Sequence, residues 1–147
     1  MSEKILVVGG VALGPKAACR CKRLMPDAEV MLVDENVFIS YGGCGIPYYV
    51  SGEIQNLNDL RSTPYHTVRD AEFFRDMKGI TVRTQTLATA IDRAAKTLAV
   101  KNVVTGQEEK LPYDKLVLAT GASPRVPPVE GKDLRNVLSL TRLEAAG

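Results

Sequence analysis

The sequence predicts an α/β fold: a doubly wound parallel sheet with a small antiparallel β-meander inserted. Three observations carry this. Lys4–Val8 is a β-branched run ending on Gly9-Gly10, the pattern of a buried parallel strand entering a tight turn. A helical pattern from about Val11 to Met25, stopped by Pro26-Asp27, leads into a second apolar run at Ala28–Val33. Strand, glycine turn, helix and strand within about thirty residues form a βαβ unit, whose strands lie side by side in parallel.

The remaining elements follow in order. Residues 36–66 are loop-rich, with Gly42, Gly43, Gly45, Gly52, Pro47 and Pro64, and a short helix fits at Ile46–Ser51. A further helix is expected from Thr67 to Met77, with Asp70 and Glu72 near its start and Gly79 as its stop. Ile80–Thr84, Leu87–Asp92, Thr97–Asn102 and Glu109–Tyr113 read as short strands separated by polar turns. Lys115–Ala119 is another buried run, closing on Thr120-Gly121. The strands at Ile80 and Lys115 are expected to join the parallel sheet, and Leu87–Tyr113 to form the meander as a flap. Val137–Gly147 carries no stop signal and reads like a chain cut before its next domain.

Composition narrows the function. The 147 residues suit one domain, and 45% apolar with 24% charged residues supports a packed core. Nineteen basic against 17 acidic residues leave +2, which excludes a strongly basic nucleic-acid binder. No run approaches the roughly 18 apolar residues of a membrane span, and MSEKILVVGG lacks the pattern of a signal peptide. Three cysteines do not form a secreted disulfide framework, and the single histidine, His66, cannot build a metal site by itself. A soluble, cytoplasmic domain without nucleic-acid or membrane partners is expected.

Gly9-Gly10-Val11-Ala12-Leu13-Gly14 stands where a dinucleotide-binding turn, G-x-G-x-x-G, would stand, with Val11 in place of the middle glycine. Such a turn lets a pyrophosphate sit on a helix N-terminus, where free N–H groups and the helix dipole favour anions. The glycine pattern alone is a weak signal, and a plain glycine-rich strand-to-helix turn is the alternative. Asp34 supports the dinucleotide reading: it lies 20 residues after Gly14, at the end of the second strand, where an acid accepts a ribose hydroxyl. An acid there suits FAD or NAD rather than NADP. The unit is thereby Rossmann-like.

The second constellation is Ser40-Tyr41-Gly42-Gly43-Cys44-Gly45-Ile46-Pro47-Tyr48. Pro47 is tolerated in a first helical turn, which places Cys44 just before a helix N-terminus, an environment that favours the thiolate. Flanking glycines let another molecule approach the sulfur. A small structural cysteine in a tight loop is the alternative. Gly45 to Tyr49 offers no partner cysteine, so a redox role would run through a mixed disulfide with a small thiol or through a sulfenic acid.

Together VVGG-V-A-L-G, SYGGCGIPYY and YDKLVLATGASPRVP resemble the FAD half of single-cysteine pyridine nucleotide-disulfide oxidoreductases, over essentially the whole chain. That group includes coenzyme A-disulfide reductases, NADH oxidases and NADH peroxidases. The resemblance implies that residues 1–147 are an FAD-binding domain, with the nicotinamide-binding and dimerisation domains outside this chain. Gly9, Gly14 and Asp34, with Glu35 beside it, would hold the FAD pyrophosphate and ribose, and Val82 would meet the adenine with its backbone. Cys44 would lie against the flavin as nucleophile and charge-transfer thiolate, with Ser40 and Pro47 shaping its loop. Thr120 and Gly121 would belong to the second flavin-binding motif. Leu13 and Pro15 depart from the small residues usual in the turn.

Two features sort the branches of the group. Its peroxidases and oxidases carry a histidine at the position of Ala12, so its absence speaks against peroxide as the main substrate. The second feature is the first helix. At about 100° per residue, Lys16, Arg20 and Arg23 share a stripe about 60° wide. Leu13, Ala17, Cys21 and Leu24 form an adjacent stripe expected to face the sheet. The cations suit coenzyme A phosphates, or are simply a solvated face. By resemblance the positions of Arg20, Arg23 and Ser40 contact coenzyme A, whereas Gly43 stands where an asparagine is common. Cys19 and Cys21 read as structural, His66 as an exposed loop residue, and Arg125 as a surface residue or a cofactor contact. Tyr41, Tyr48 and Tyr49 either pack near the flavin or fill the core beside the loop.

The resulting expectation is the FAD-binding portion of an NAD(P)H-dependent, homodimeric flavoprotein that reduces coenzyme A disulfide through Cys44. An NADH oxidase or peroxidase, a polysulfide or persulfide reductase, and a nucleotide-binding module without catalysis are the alternatives.

Overall fold

The computed structural model describes residues 2–135 and 137–146. Four parallel strands, β1 (Lys4–Val8), β2 (Glu29–Val33), β3 (Thr81–Arg83) and β7 (Lys115–Leu118), form one sheet in the order β3-β2-β1-β7. The central strand β1 buries Ile5, Leu6, Val7 and Val8 alike, as a strand covered on both faces must. On one face Ile5, Val7, Val30 and Leu32 pack against Ala18 of α1 (Leu13–Leu24) and Phe74 of α3 (Ala71–Lys78).

On the other face Leu6, Val8 and Val33 meet Leu98, Val100 and Leu111. These belong to the antiparallel sheet of β4 (Thr86–Asp92), β5 (Thr97–Asn102) and β6 (Glu108–Pro112). The meander is therefore a third layer rather than a loose flap, fixed by apolar side chains that water would otherwise contact.

From β1 the chain steps outward to β2 and β3, then returns to place β7 on the other side of β1. The C-terminal ends of β1 and β7 thus lie side by side where the winding reverses, the place at which open α/β sheets form their ligand crevice.

Two expectations are corrected. The helix expected from Thr67 begins at Ala71, because the Asp70 carboxylate accepts the Phe73 N–H at 2.9 Å and caps it. Such a cap contributes about 1 kcal/mol. The preceding residues form a small loop closed by an antiparallel bridge between Ser62 and Val68. Gly79 ends α3 in the left-handed conformation, as expected of a C-terminal glycine.

The second correction concerns α1. Leu13 and Leu24 are 61% and 62% exposed, while the buried residues are Gly14, Pro15 and Ala18. Cys19, Cys21 and Met25 complete this inner side. The helix lies so close to the strands that only small residues fit beneath it, so apolar bulk marks the wrong stripe.

Candidate functional site

The glycine turn is shaped by close backbone packing. Gly9 has φ +106°, and a Cβ there would lie 2.2 Å from the Ala119 carbonyl oxygen at the end of β7. A Cβ on Gly14 would fall 1.7 Å from the Gly9 carbonyl oxygen. Both distances are far below contact, so the turn and α1 can approach β1 and β7 only with glycine at these positions. Ala12 stands at the cap position before α1 and offers no side-chain cap, and the first turn carries no acid. Its amides have no carboxylate or hydroxyl to satisfy them, which fits an anionic ligand such as the pyrophosphate of FAD.

Asp34 is 7% exposed and ties the turn to the second strand. Its Oδ2 accepts the Gly10 N–H at 2.5 Å, and its Oδ1 accepts the Asn36 backbone and side-chain N–H groups at 2.8 Å each. An ionised carboxylate has about four acceptor positions, so room for a ribose hydroxyl remains. Glu35 is held by Arg142, whose Nη2 donates to Oε1 at 2.6 Å. Val82 lies on the edge strand β3, paired with Leu32 and half-buried against the core.

The Cys44 loop is hung from the same turn. The Ser40 N–H donates to the Gly10 carbonyl at 2.8 Å, and Ser40 is buried at φ 53°, in the left-handed region. A non-glycine residue held there stores strain of about 1–3 kcal/mol and marks a constrained site. The Gly42 N–H donates to the Leu60 carbonyl at 2.7 Å. Cys44 then sits in a single 3-10 turn, Gly43–Gly45, and α2 (Ile46–Val50) follows at once with Pro47 in its first turn.

Cys44 is an exposed free thiol, whereas Cys19 and Cys21 are half-buried. Burial pushes the Cys19 thiol up, against the pull of Lys78 and Arg23. Nothing lies within 4 Å of a Cβ built on Gly43, so the space beside Cys44 is open. Tyr41 and Ile46 are buried under the loop with Leu60 and Leu143, and Tyr49 packs against them, while Tyr48 is exposed.

After β7 the Thr120 backbone lies beside Gly9, and Gly121 follows with φ 70°. The fold therefore gathers Gly9, Gly14, Asp34, Ser40 and Thr120 around the reversal of the sheet, with Cys44 on the loop that starts at Ser40. Lys16, Arg20 and Arg23 are exposed on α1, and among the described residues none has an acidic group within ion-pair distance. His66 and Arg125 are exposed.

Residues 3–146 match the family model of pyridine nucleotide-disulphide oxidoreductases. The chain belongs to that family. Its enzymes are FAD-dependent.

Among relatives of this family, the chain is 34% identical to an NADH oxidase of Methanocaldococcus jannaschii over 142 residues, 96% of this chain and 30% of that protein. It is 34% identical to a coenzyme A disulfide reductase of Staphylococcus haemolyticus over 121 residues, 82% of this chain and 26% of that protein. The structure of an NAD-dependent persulfide reductase from A. fulgidus superposes with a TM-score of 0.92 at 44% identity, over 97% of this chain and 26% of that one. The chain thus spans less than a third of the length of these relatives.

Three features escaped the sequence reading. Asn36 braces Asp34; its only sequence signal is an amide two residues after an acid. Arg142 reaches Glu35 and Asn36, and Leu143 packs with Tyr41 and Ile46 on either side of Cys44, both from the far end of the chain, and no local pattern announces that. Among the described residues no helix is long and apolar enough to cross a membrane.

Proposed function

We propose that this chain is the FAD-binding part of an NAD(P)H-dependent disulfide reductase in which Cys44 is the single redox thiol. The observation that carries it is the exposed Cys44, hung by the Ser40 backbone from a glycine turn whose helix lacks any side-chain cap. Gly9 and Gly14 would admit the FAD pyrophosphate, Asp34 would accept from its ribose, and Thr120 and Gly121 would belong to the flavin site. Glu35 would lie beside the ribose-holding acid, and the Val82 backbone would meet the adenine. FAD, when bound, supplies the transfer of two electrons from a nicotinamide to a sulfur centre.

Cys44 does the sulfur chemistry. As thiolate it attacks one sulfur of the substrate disulfide, forms a new S–S bond and releases the other half as thiolate. Two electrons and a proton then break that mixed disulfide, restoring the Cys44 thiolate and releasing the second thiol. The open space at Gly43 would admit the substrate to the sulfur, and Ser40 and Pro47 would shape the loop that carries it.

Coenzyme A disulfide is the substrate favoured, because Lys16, Arg20 and Arg23 form a stripe of cations without acidic partners, suited to its phosphates. The coenzyme A disulfide reductase of Staphylococcus haemolyticus among the relatives supports this. The nicotinamide-binding and dimerisation domains would lie outside these residues, and the active enzyme would be a cytoplasmic homodimer.

A second reading, persulfide or polysulfide reduction by the same thiol, is supported by the persulfide reductase from A. fulgidus. The mass of the Cys44 peptide from unreduced enzyme separates the possibilities. A coenzyme A adduct removed by reductant is expected. Added oxygen would point instead to sulfenic-acid chemistry with peroxide or oxygen as substrate.

A further inference from the structure

The residues after Thr141 clasp the Cys44 loop through contacts that the proposed reaction does not use. Glu144 Oε1 accepts the backbone N–H groups of Val37 and Phe38, both at 3.1 Å, across 107 and 106 residues of sequence. Arg142 donates to Glu35 at 2.6 Å and to the Asn36 side-chain oxygen at 3.1 Å. Between them Leu143 is fully buried with Tyr41, Ile46 and Leu60.

Residues 35–38 are thus held by the clasp along their whole length, and the Arg61 guanidinium lies 5.0 Å from the centre of the Phe38 ring. Immediately beyond them come Ser40, in its strained conformation, and Cys44, which lies in sequence between the Leu143 contacts Tyr41 and Ile46.

We propose that Glu144 is a positioning residue for Cys44. It acts through the Val37 and Phe38 amides and seats Leu143 under the loop, so residues 142–144 set where the thiol stands. A carboxylate suits the task, since one oxygen takes two consecutive N–H groups and bonds to a charged acceptor are stronger than neutral ones. Glutamine keeps an acceptor oxygen at this position, and alanine has none. The importance of this placement for turnover rests on Cys44 being the redox thiol; the placement itself does not.

Cys19 and Cys21 provide the internal control, because they pack against the core beneath α1 and not against the Leu143 cluster. Native, Glu144→Ala and Glu144→Gln holoenzymes are labelled briefly with iodoacetamide, and each cysteine is quantified by peptide mass. In Glu144→Ala the Cys44 rate is expected to rise about fivefold or more, while Cys19 and Cys21 keep their rates and Glu144→Gln restores the native value. If Cys44 keeps its native rate in Glu144→Ala, or if all three cysteines speed up together, the proposal fails. Persistence of disulfide reduction in Cys44→Ser would overturn the proposed reaction but would not alter this labelling pattern.

Discussion

The Asp34 carboxylate accepts the Gly10 backbone N–H at 2.5 Å, so the acid at the end of β2 braces the turn at the end of β1. This acid is therefore part of the fold before it meets any ribose. Replacing it with alanine leaves the Gly10 and Asn36 donors without their acceptor. Asp34→Ala is expected to lose about 2–3 kcal/mol of stability even in flavin-free protein. Urea denaturation with and without FAD checks this, and a loss confined to the flavin-bound form would assign Asp34 to the ribose alone.

Gly14 gives a steric prediction. The Cβ of an alanine there would stand 1.7 Å from the Gly9 carbonyl oxygen, which is backbone and cannot swing aside. Gly14→Ala is expected to cost about 3 kcal/mol or more and to lose flavin. Gly43→Ala is the control, because its Cβ meets nothing within 4 Å. Thermal melting of the two variants should separate them clearly.

Ser40 holds a left-handed backbone at φ 53° next to the glycine turn. Ser40→Gly removes that strain and is expected to raise stability by about 1 kcal/mol or leave it unchanged, since glycine's freer unfolded chain offsets part of the gain. If the hydroxyl contacts the thiol substrate, the same variant raises KM. A stable variant with an unchanged KM would limit Ser40 to shaping the loop.

Tyr41 makes stability depend on alkaline pH. Burial pushes its hydroxyl above the ordinary value of 10.0, a bond to the Leu143 backbone opposes this, and the negative charges of Glu144 and Asp34 add to the rise. Because the folded pKa is raised, the neutral tyrosine contributes its full stability below the unfolded value, and that contribution is lost as pH climbs through the folded one. Stability is thus expected to fall above about pH 10, and the fall should be shallower in Tyr41→Phe. Chemical denaturation from neutral pH upward tests the difference.

Much of this architecture is legible along the chain because its signals are local. Lys4–Val8 and the glycines after it announce a buried strand and a tight turn, and Pro47 announces the helix that follows Cys44. The inner face of α1 was hidden by the same closeness that Gly14 permits: where a helix nearly touches a sheet, the buried stripe consists of Gly14 and Ala18, and the leucines lie outside it. The clasp at Arg142 and Glu144 could not be read at all, since its partners lie over a hundred residues away and half of them are backbone groups without a sequence signature. The extra turn expected at Thr67 failed because Asp70 caps α3 more strongly than the helical pattern extends it.

The most direct measurement is turnover of coenzyme A disulfide with NAD(P)H by full-length Cys44→Ser enzyme, with its bound flavin quantified in the same sample. Full flavin content with disulfide reduction lower by orders of magnitude is the expected result. Reduction within about tenfold of the native rate, with flavin bound, would contradict the assignment of Cys44 as the redox thiol.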